Sequence, residues 1–413
     1  MLTTFYVLAI LVVIQGIVSV LEGVHYHRYI LSTSRQTRVD GPPPRITVVV
    51  PCKGDDHELA ENLRAVLHQD SPAFETIFVT ASVDDPAQTI FERLRVEFPL
   101  QIIKSVVAGT SDQRGEKVNN LLKALDQADP SSEVFAFADS DARPPSFWLR
   151  ELVAPLHAPG AVPGAVTGYR WYLPERRNLP SVLRSAWNAG IVTLLGAHDK
   201  NFCWGGSTAI RRLTFERARV RDYWQHSISD DYSLTQALRE AQLAIRFVPQ
   251  CLLPSSGRTT WREVMEWSTR QLILTRIYSN RLWKLAAVSQ TGFTLVVLLA
   301  IALLPREWRL FSPTSSSGPT FFNWIVRLPV TSILFMIFVL GSIRGLFRWL
   351  SVRVILSDHM KNLDYFAWAY ILLPPAISLF STFILWRSAM TRVVAWRGKV
   401  YELVSSREVK VLQ

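Results

Sequence analysis

Paired aspartates recur along this 413-residue chain, and their spacing suits metal or acid–base chemistry. Asp139 and Asp141 directly follow the apolar run Val134–Ala138. Two carboxylates spaced in this way can hold Mg²⁺ or Mn²⁺ together with the oxygens of a diphosphate. A solvated turn or a helix cap is the alternative, because aspartate is common at both. The position at the end of a buried strand is what favours a cation site.

Asp230 and Asp231 form a second pair, at the start of a predicted helix. Asp230 could be the N-cap of that helix, since aspartate caps helices well. Asp231 could instead act as a general base that removes a proton from an acceptor hydroxyl. The pair alone leaves both interpretations open.

Arg270 lies just before the C-terminal apolar runs, with Arg276 six residues later. An arginine can clamp a leaving diphosphate through two parallel hydrogen bonds. Arginines also anchor the cytoplasmic ends of membrane spans. Both roles are compatible, because a diphosphate site here would lie close to the bilayer.

The segment that carries these residues predicts an α/β domain, because residues 45–250 alternate short apolar runs with helix-period stretches. Ligands of such sheets bind beyond the carboxyl ends of the strands. Lys53, Asp84, Asp85 and Asp139 each follow a predicted strand, so we expect them to converge on one crevice. The predicted strands are Ile46–Val50, Thr76–Ala81, Leu100–Val107, Val134–Ala138 and Val166–Tyr172, and the predicted helices are His57–His68, Glu116–Gln127 and Leu179–His198.

The last of these helices, Leu179–His198, is apolar at helical spacing and has few charges. It is either an ordinary buried helix or an interfacial amphipathic helix beneath the entrance of a lipid acceptor. His198 at its end is not expected to bind a metal.

Composition narrows the class of protein. Hydrophobic residues make up 49% of the chain and charged residues 19%, which excludes a disordered protein. The apolar excess lies at residues 4–24 and beyond residue 284, which argues against one soluble domain. The net charge of +11 is expected to flank membrane spans and to face a diphosphate, with no nucleic acid as partner. Three cysteines without C-x-x-C spacing indicate neither a disulfide framework nor a zinc site.

These patterns predict three regions in an integral membrane protein. Residues 1–27 form an N-terminal anchor, residues 40–262 a cytosolic domain, and residues 263–413 an interfacial helix, membrane spans and a basic tail. The C-terminal spans are expected at about 285–304, 321–343 and 365–386. Pro374-Pro375 interrupts the last run, so it either spans or re-enters, and the side of the tail stays open. A basic cytoplasmic loop is expected between the last two spans, containing Arg344, Arg348, Arg353 and Lys361.

Taken in order, the motifs resemble those of one family. They are PCKG, Asp84-Asp85-Pro86, Arg114-Gly-Glu-Lys117-Val-Asn119-Asn120, Asp139-Ser-Asp141, Gly205-Gly206-Ser207, Ser229-Asp230-Asp231-Tyr232 and Arg270-Gln271. This order resembles the processive-type family 2 glycosyltransferases with the D, D-x-D, D, Q-x-x-R-W signature. Over nearly the whole chain it is most similar to the ceramide glucosyltransferase branch, with hopanoid-type lipid glycosyltransferases as possible relatives.

The resemblance implies a nucleotide-diphospho-sugar transferase domain of the GT-A type. It further implies a UDP-sugar donor, a membrane lipid acceptor such as ceramide, and Mg²⁺ or Mn²⁺ as cofactor. The implied reaction is one displacement that inverts the anomeric carbon and needs a single base. The implied roles are Asp84 and Asp85 at the uridine, Lys117 and Asp139 at the nucleotide, Asp141 with Asp139 at the metal, Asp231 as general base and Arg270 at the leaving diphosphate.

One motif departs from the family pattern. Trp267 stands where Gln is expected and Gln271 where Trp is expected, so the acceptor can differ from ceramide. A hopanoid-type polyol lipid or a growing polysaccharide is the alternative acceptor. Outside this activity, a nucleotide-sensing membrane protein or a catalytically inactive relative remains open. The membrane is either a bacterial inner membrane or a Golgi-like one.

Overall fold

The computed structural model describes residues 2–33, 44–55, 58–71, 74–158, 160, 162–310 and 329–412, without the side chains of 306 and 308–310. Residues 321–328 of the predicted span 321–343, residues 40–43 of the predicted domain and His57 of a predicted helix lie outside this part of the chain.

A seven-stranded sheet forms the centre of the α/β domain, in the order β3-β2-β1-β4-β6-β5-β7. Strands β1 to β4 are mutually parallel, β6 is antiparallel to both of its neighbours, and β5 and β7 are parallel to each other. The strands are β1 Ile46–Pro51, β2 Phe74–Thr80, β3 Ile102–Val107, β4 Val134–Ala138, β5 Ala165–Tyr172, β6 Ser207–Arg211 and β7 Ile245–Ser255. The predicted mixed α/β class is confirmed.

Helices cover both faces of this sheet. A helical region is formed by the first helix of the chain and by the helices that begin at or after Asn280. The helices are α1 Leu2–Thr33, α2 Leu59–Leu67, α3 Ala87–Glu97, α4 Glu116–Leu125, α5 Trp148–Val153, α6 Leu179–Val192, α7 Arg212–Arg217, α8 Val220–Trp224, α9 Asp230–Glu240, α10 Trp261–Tyr278, α11 Asn280–Leu310, α12 Pro329–Ile355, α13 Met360–Tyr365, α14 Ala367–Leu372 and α15 Pro374–Ala389. Helix α4 shows why they form. Val118, Leu121, Leu122 and Leu125 recur at helical spacing, and all four are buried in one core.

Among the residues that the structure describes, three helices are long and apolar enough to cross a membrane: Leu2–Thr33, Asn280–Pro305 and Pro329–Ile355. Helices α1 and α12 run parallel, and Gly16 lets the backbone of α1 approach Leu340 closely. Helix α11 runs antiparallel to α1, and Gln15 donates a 2.5 Å hydrogen bond to Ser289 on it.

The basic residues Arg344, Arg348 and Arg353 do not lie in a loop, contrary to expectation. They belong to helix α12, which continues to Ile355 because apolar residues keep recurring between the arginines. All three arginines are therefore carried on a helix that packs against α1.

The apolar run at 365–386 is not one continuous helix. It is divided into α14 and α15 because Pro374 and Pro375 occupy the first turn of α15, a position that suits proline and ends the preceding helix. Helix α15 then returns to the beginning of α11, where Trp283 donates to the Ser388 hydroxyl at 3.0 Å.

The C-terminal tail folds into a small antiparallel sheet of β8 Val393–Trp396, β9 Lys399–Ser405 and β10 Glu408–Val411. This sheet packs on α10. Lys399 lies 3.0 Å from Glu116 and Arg407 lies 3.3 Å from Glu240, both in the α/β domain. The tail therefore lies on the same side of the helical region as the α/β domain.

Candidate active site

One cavity of about 1830 Å³ connects the carboxyl ends of the strands to the helical region. Its polar end is lined by Lys117, Asp139 and Asp231, and its apolar end by Phe293 and Leu340. A ligand with a charged part and a hydrocarbon part could therefore occupy it along its length.

Lys117 is the centre of the polar end. It projects from the first turn of α4, and its Nζ lies 2.7 Å from Asp139 Oδ1 and 3.0 Å from Asp230 Oδ2. Burial alone would lower the pKa of Lys117, but the two carboxylates outweigh it and hold that pKa above its usual value. Lys117 thus carries a permanent positive charge between Asp139, at the end of β4, and Asp230, at the start of α9.

Gly205 and Gly206 allow this cluster to close. A Cβ on Gly205 would lie 1.8 Å from Asp230 Oδ2 and 2.8 Å from Lys117 Nζ. A Cβ on Gly206 would lie 2.6 Å from Asp139 Oδ2. The Gly-Gly pair is therefore required by the close approach of backbone and side chains at the site.

Arg170, on strand β5, pairs with the D-x-D carboxylates. Its Nη1 lies 2.7 Å from Asp141 Oδ2, and its Nη2 lies 2.5 Å from Asp141 Oδ1 and 3.3 Å from Asp139 Oδ2. Burial in the cavity disfavours the charged form of Asp141, but the Arg170 guanidinium outweighs it and lowers the pKa of Asp141 to about 2. The Asp141 carboxylate is thus held ready as an anion.

The donor set at Asp139 and Asp141 fits a divalent cation that is shared with a diphosphate. Two carboxylates supply part of an oxygen shell, and phosphate oxygens complete such shells. Within the described ranges no group of three or more His, Cys, Asp or Glu could hold a metal alone. Arg170 and Lys117 contact all four carboxylate oxygens, so a cation would have to displace the guanidinium.

Asp231 faces the cavity, and its Oδ2 accepts no hydrogen bond from any residue that the structure describes. Its Oδ1 accepts from the Ser229 hydroxyl and, at 2.7 Å, from the Tyr232 amide. Ser229 is the N-cap of α9, so Asp230 is the first residue of that helix and not its cap. Asp230 is buried and turned to Lys117, whereas Asp231 is half-exposed and lines the cavity.

Asp84 and Asp85 are not brought into the cavity. Asp84 is exposed, and Asp85 Oδ1 accepts from the amides of Gly54 at 2.9 Å and Ala87 at 3.0 Å. Asp85 therefore orders the turn that carries Lys53, which does line the cavity. Any effect of Asp85 on a ligand passes through this turn.

Arg270 lies on α10 and lines the cavity where the C-terminal tail meets it. Its guanidinium lies 5.3 Å from the centre of the Trp396 ring, a cation–π distance. Burial lowers the pKa of Arg270 from its usual value, and Arg397 acts in the same direction. No ion pair to Arg270 is present in the described parts of the chain, so its charge is available to a ligand.

Aromatic residues line the passage from the polar end towards the apolar helices α1, α11 and α12. Trp267 meets the rings of Trp187 and Tyr172 edge to face, with centroids 5.2 and 5.4 Å apart. Trp187 lies on α6, within the predicted helix 179–198, so one face of that helix lines the cavity. His198 is exposed and lies outside the cavity lining.

Comparison with known proteins identifies the class. A family model described as glycosyl transferase family 21 matches residues 7–409. The chain belongs to this family. The predicted glycosyltransferase class is thereby confirmed.

Several solved glycosyltransferases resemble this family 21 chain at low identity. The mannosyltransferase PcManGT from Pyrobaculum calidifontis, solved with GDP-Man and Mn²⁺, is 15% identical with a TM-score of 0.46, and the match covers 94% of this chain and 98% of that one. TarS 1–349 from S. aureus is 15% identical with a TM-score of 0.37, covering 89% and 99%. Glucosyl-3-phosphoglycerate synthase from Mycobacterium tuberculosis, solved with Mn²⁺ and UDP, is 16% identical with a TM-score of 0.35, covering 56% and 80%.

The family 21 chain uses cavity residues that its sequence alone did not indicate. Arg170 lies inside a predicted strand, and only the sheet geometry turns it to the D-x-D pair. Trp396, Arg397 and Tyr401 belong to the tail and reach the cavity by packing 120 or more residues away from Arg270. The Trp-Arg-Gly run in the tail was visible in the sequence, but nothing local placed it beside Arg270.

Proposed function

We propose that this family 21 protein transfers a sugar from a UDP-sugar onto the hydroxyl of a membrane lipid. One observation carries the proposal: a single cavity joins the Lys117 carboxylate cluster to the helices that are apolar enough to cross a membrane. A soluble acceptor would not require the apolar half of this cavity. A protein that only senses a nucleotide would not require Asp231 beside the Lys117 cluster.

The proposed donor end is the charged cluster. Lys117 and Asp139 hold the nucleotide, and Arg270 faces the departing diphosphate, as the motif order implies. The opposed charges are fixed before a ligand binds, so little reorganisation is needed when negative charge grows on the leaving group. Asp85 would then act at the uridine through the turn that it orders around Lys53, whereas the exposed Asp84 would make no contact there.

A divalent cation, Mg²⁺ or Mn²⁺, would be held by Asp139 and Asp141 and would supply Lewis-acid stabilisation of the diphosphate. Arg170 must turn away from Asp141 for this to happen. The same guanidinium can then contact the donor, because it already lines the cavity.

Asp231 is the proposed general base. Two donors fix its Oδ1, which leaves Oδ2 to accept the proton of the acceptor hydroxyl. The hydroxyl oxygen forms the new bond to the anomeric carbon as the bond to the UDP oxygen breaks. A single displacement of this kind inverts the anomeric centre and needs no enzyme nucleophile.

The proposed arrangement in the membrane follows from the paths of the helices. Residues 1–27 anchor the chain, residues 40–262 form the GT-A domain on the cytosolic face, and residues 263–413 add an interfacial helix, spans and the tail. We propose that α14 and α15 re-enter and do not cross, since the tail reaches Glu116 and Glu240.

The proposal is tested with the purified full-length chain, Mn²⁺ or Mg²⁺, a panel of UDP-sugars and a total lipid extract. We expect one lipid class to gain the mass of a hexose or N-acetylhexosamine, with UDP released in equal amount. A ceramide, a hopanoid-type polyol or another glycolipid would be identified by that mass. UDP binding without release from any UDP-sugar would indicate a nucleotide sensor instead, and a long water-soluble glycan would indicate a polysaccharide synthase.

A further inference from the structure

Two arginines on helix α12 line the membrane end of the cavity. Arg344 and Arg348 are one helical turn apart, and both contribute to the cavity wall. Arg348 is only 8% exposed. Its charge is therefore almost entirely removed from water.

Arg348 has no hydrogen bond or ion pair to any residue that the structure describes, and its Nε lacks an acceptor there. Its guanidinium faces Gly190 of α6, where a Cβ would lie 3.6 Å from Nη2. Tyr26 is near Arg348 but makes no hydrogen bond to it within the described parts of the chain. A buried arginine without a partner is strongly unfavourable, so the site is incomplete without an anion.

The positive charge of Arg344 is only partly balanced by a nearby acidic residue. Glu22 of α1 is the acidic residue that acts on it, but the two do not come within 4.0 Å among the described residues. Glu22 also lines this end of the cavity. Two guanidinium groups therefore face one carboxylate, and the surplus is one positive charge.

We propose that Arg344 and Arg348 bind the anionic group, a phosphate or a carboxylate, of a membrane lipid that enters the cavity as the acceptor. Paired guanidinium groups match the planar oxygens of such groups through several parallel hydrogen bonds. The surrounding wall favours a lipid over a free ion, because Val12, Ile337 and Leu340 line the same end. The inference rests on the proposed function in one respect, that the bound lipid presents its hydroxyl to Asp231.

Binding of defined lipids to the full-length chain in detergent tests this inference. The probes are dioleoyl phosphatidylglycerol, with phosphate and hydroxyls, dioleoyl phosphatidic acid, with phosphate alone, and dioleoylglycerol, with a hydroxyl alone. Native mass spectrometry should show both phosphate-bearing lipids bound at least about tenfold more tightly than dioleoylglycerol. Inorganic phosphate should not compete at millimolar concentration, which distinguishes a headgroup from a free anion.

Arg348→Gln should abolish this preference, and Arg353→Gln is the matched control. Arg353 lies on the same helix and pairs with Asp364 at 2.8 Å. It is absent from the cavity wall that the described residues form. Without lipid, Arg348→Gln should melt at the same or a higher temperature, since an unpartnered buried charge is removed.

Two outcomes would overturn the inference: an unchanged lipid preference in Arg348→Gln, or a lower melting temperature of that variant without lipid, which would show a structural role. UDP binding is measured alongside and should be the same in both variants and wild type, because the donor cluster is elsewhere in the cavity. If no lipid is glycosylated by the wild type, the proposed function fails. The preference for phosphate-bearing lipids over dioleoylglycerol then still tests the role of Arg344 and Arg348.

Discussion

At the scale of single residues, the site depends on opposite charges that are buried together. Lys117 lies between Asp139 and Asp230, and Arg170 lies across Asp139 and Asp141. Ion pairs of this kind are poor evidence of stability, because removing charges from water offsets their attraction. Their value here is that they orient donors and acceptors before a charged ligand arrives.

The pH dependence of this cluster is predicted from Asp230. Burial raises the pKa of Asp230 to about 6, with Lys117 acting against the shift and Asp231 adding to it. A carboxyl whose pKa is higher in the folded chain than in the unfolded chain binds more protons when folded between pH ~4 and ~6. Stability should therefore fall as pH rises through that interval, and level off above pH ~7.

The measurement is the melting temperature of wild type and Asp230→Asn across this pH range. The advantage of wild type over the variant should shrink as pH rises from ~4 to ~6. Parallel curves for the two proteins would show that Asp230 has an ordinary pKa in the folded state.

Part of this site was predictable from the sequence, because several of its residues lie at the ends of local elements. Asp139, Asp141, Asp231 and Lys117 line the cavity, because strand ends and helix starts meet at one edge of a sheet. Arg270, in the middle of α10, lines it through the packing of that helix. Arg170 and the tail residues were missed, because their positions depend on sheet pairing and on packing of distant segments. Asp84 and Asp85 follow a strand but point away, since the turn bends back onto its own backbone.

At the scale of elements, the Gly205-Gly206 loop before β6 sets how closely the aspartates can approach. We predict that Gly205→Ala separates Asp230 from Lys117, because the added Cβ would lie within 1.8 Å of the carboxylate. UDP binding should weaken by tenfold or more, about 1.4 kcal/mol, with a lower melting temperature. Gly292→Ala on α11 is the control, since nothing lies within 4 Å of its Cβ. Equal behaviour of the two variants would refute this role.

The tail sheet is predicted to support the donor site through Trp396. Trp396→Ala should weaken UDP binding about twofold to thirtyfold, because a partly buried cation–π contact contributes about 0.5–2 kcal/mol. Calorimetric titration with UDP measures this. Trp368→Ala is the matched control, since that ring is exposed on α14 and does not line the described cavity. An unchanged UDP affinity in Trp396→Ala would remove the tail from the donor site.

The elements themselves were largely predictable where hydrophobic periodicity was unbroken. Strand β4 has the predicted limits, Val134–Ala138, and helix α4 begins at the predicted Glu116. The break at Pro374 was visible, but its consequence was not, because the path of α15 depends on its contacts with α10 and α11. The C-terminal sheet has no counterpart in the predictions, since short strands of mixed polarity carry little periodic signal.

At the scale of the whole molecule, the directions of the helices determine which parts of the chain lie on the same side of the proposed membrane. Helices α1 and α12 run in one direction and α11 in the other, and the tail packs on the α/β domain. We therefore predict that Thr3→Cys and Lys410→Cys react with an impermeant maleimide from opposite sides of the membrane. Cys52, Cys203 and Cys251 are buried and should give little background. Labelling of both positions from one side would contradict the proposed topology.

The central claim is that the polar end of this cavity performs glycosyl transfer with Asp231 as the base. The most direct test is the rate at which Asp231→Asn forms a lipid-linked sugar, relative to wild type and to Asp84→Asn, whose side chain is exposed and outside the described cavity lining. We predict a loss of about 10²-fold or more for Asp231→Asn, with UDP affinity unchanged and Asp84→Asn near wild type. A variant Asp231→Asn that glycosylates lipid at the wild-type rate would contradict it.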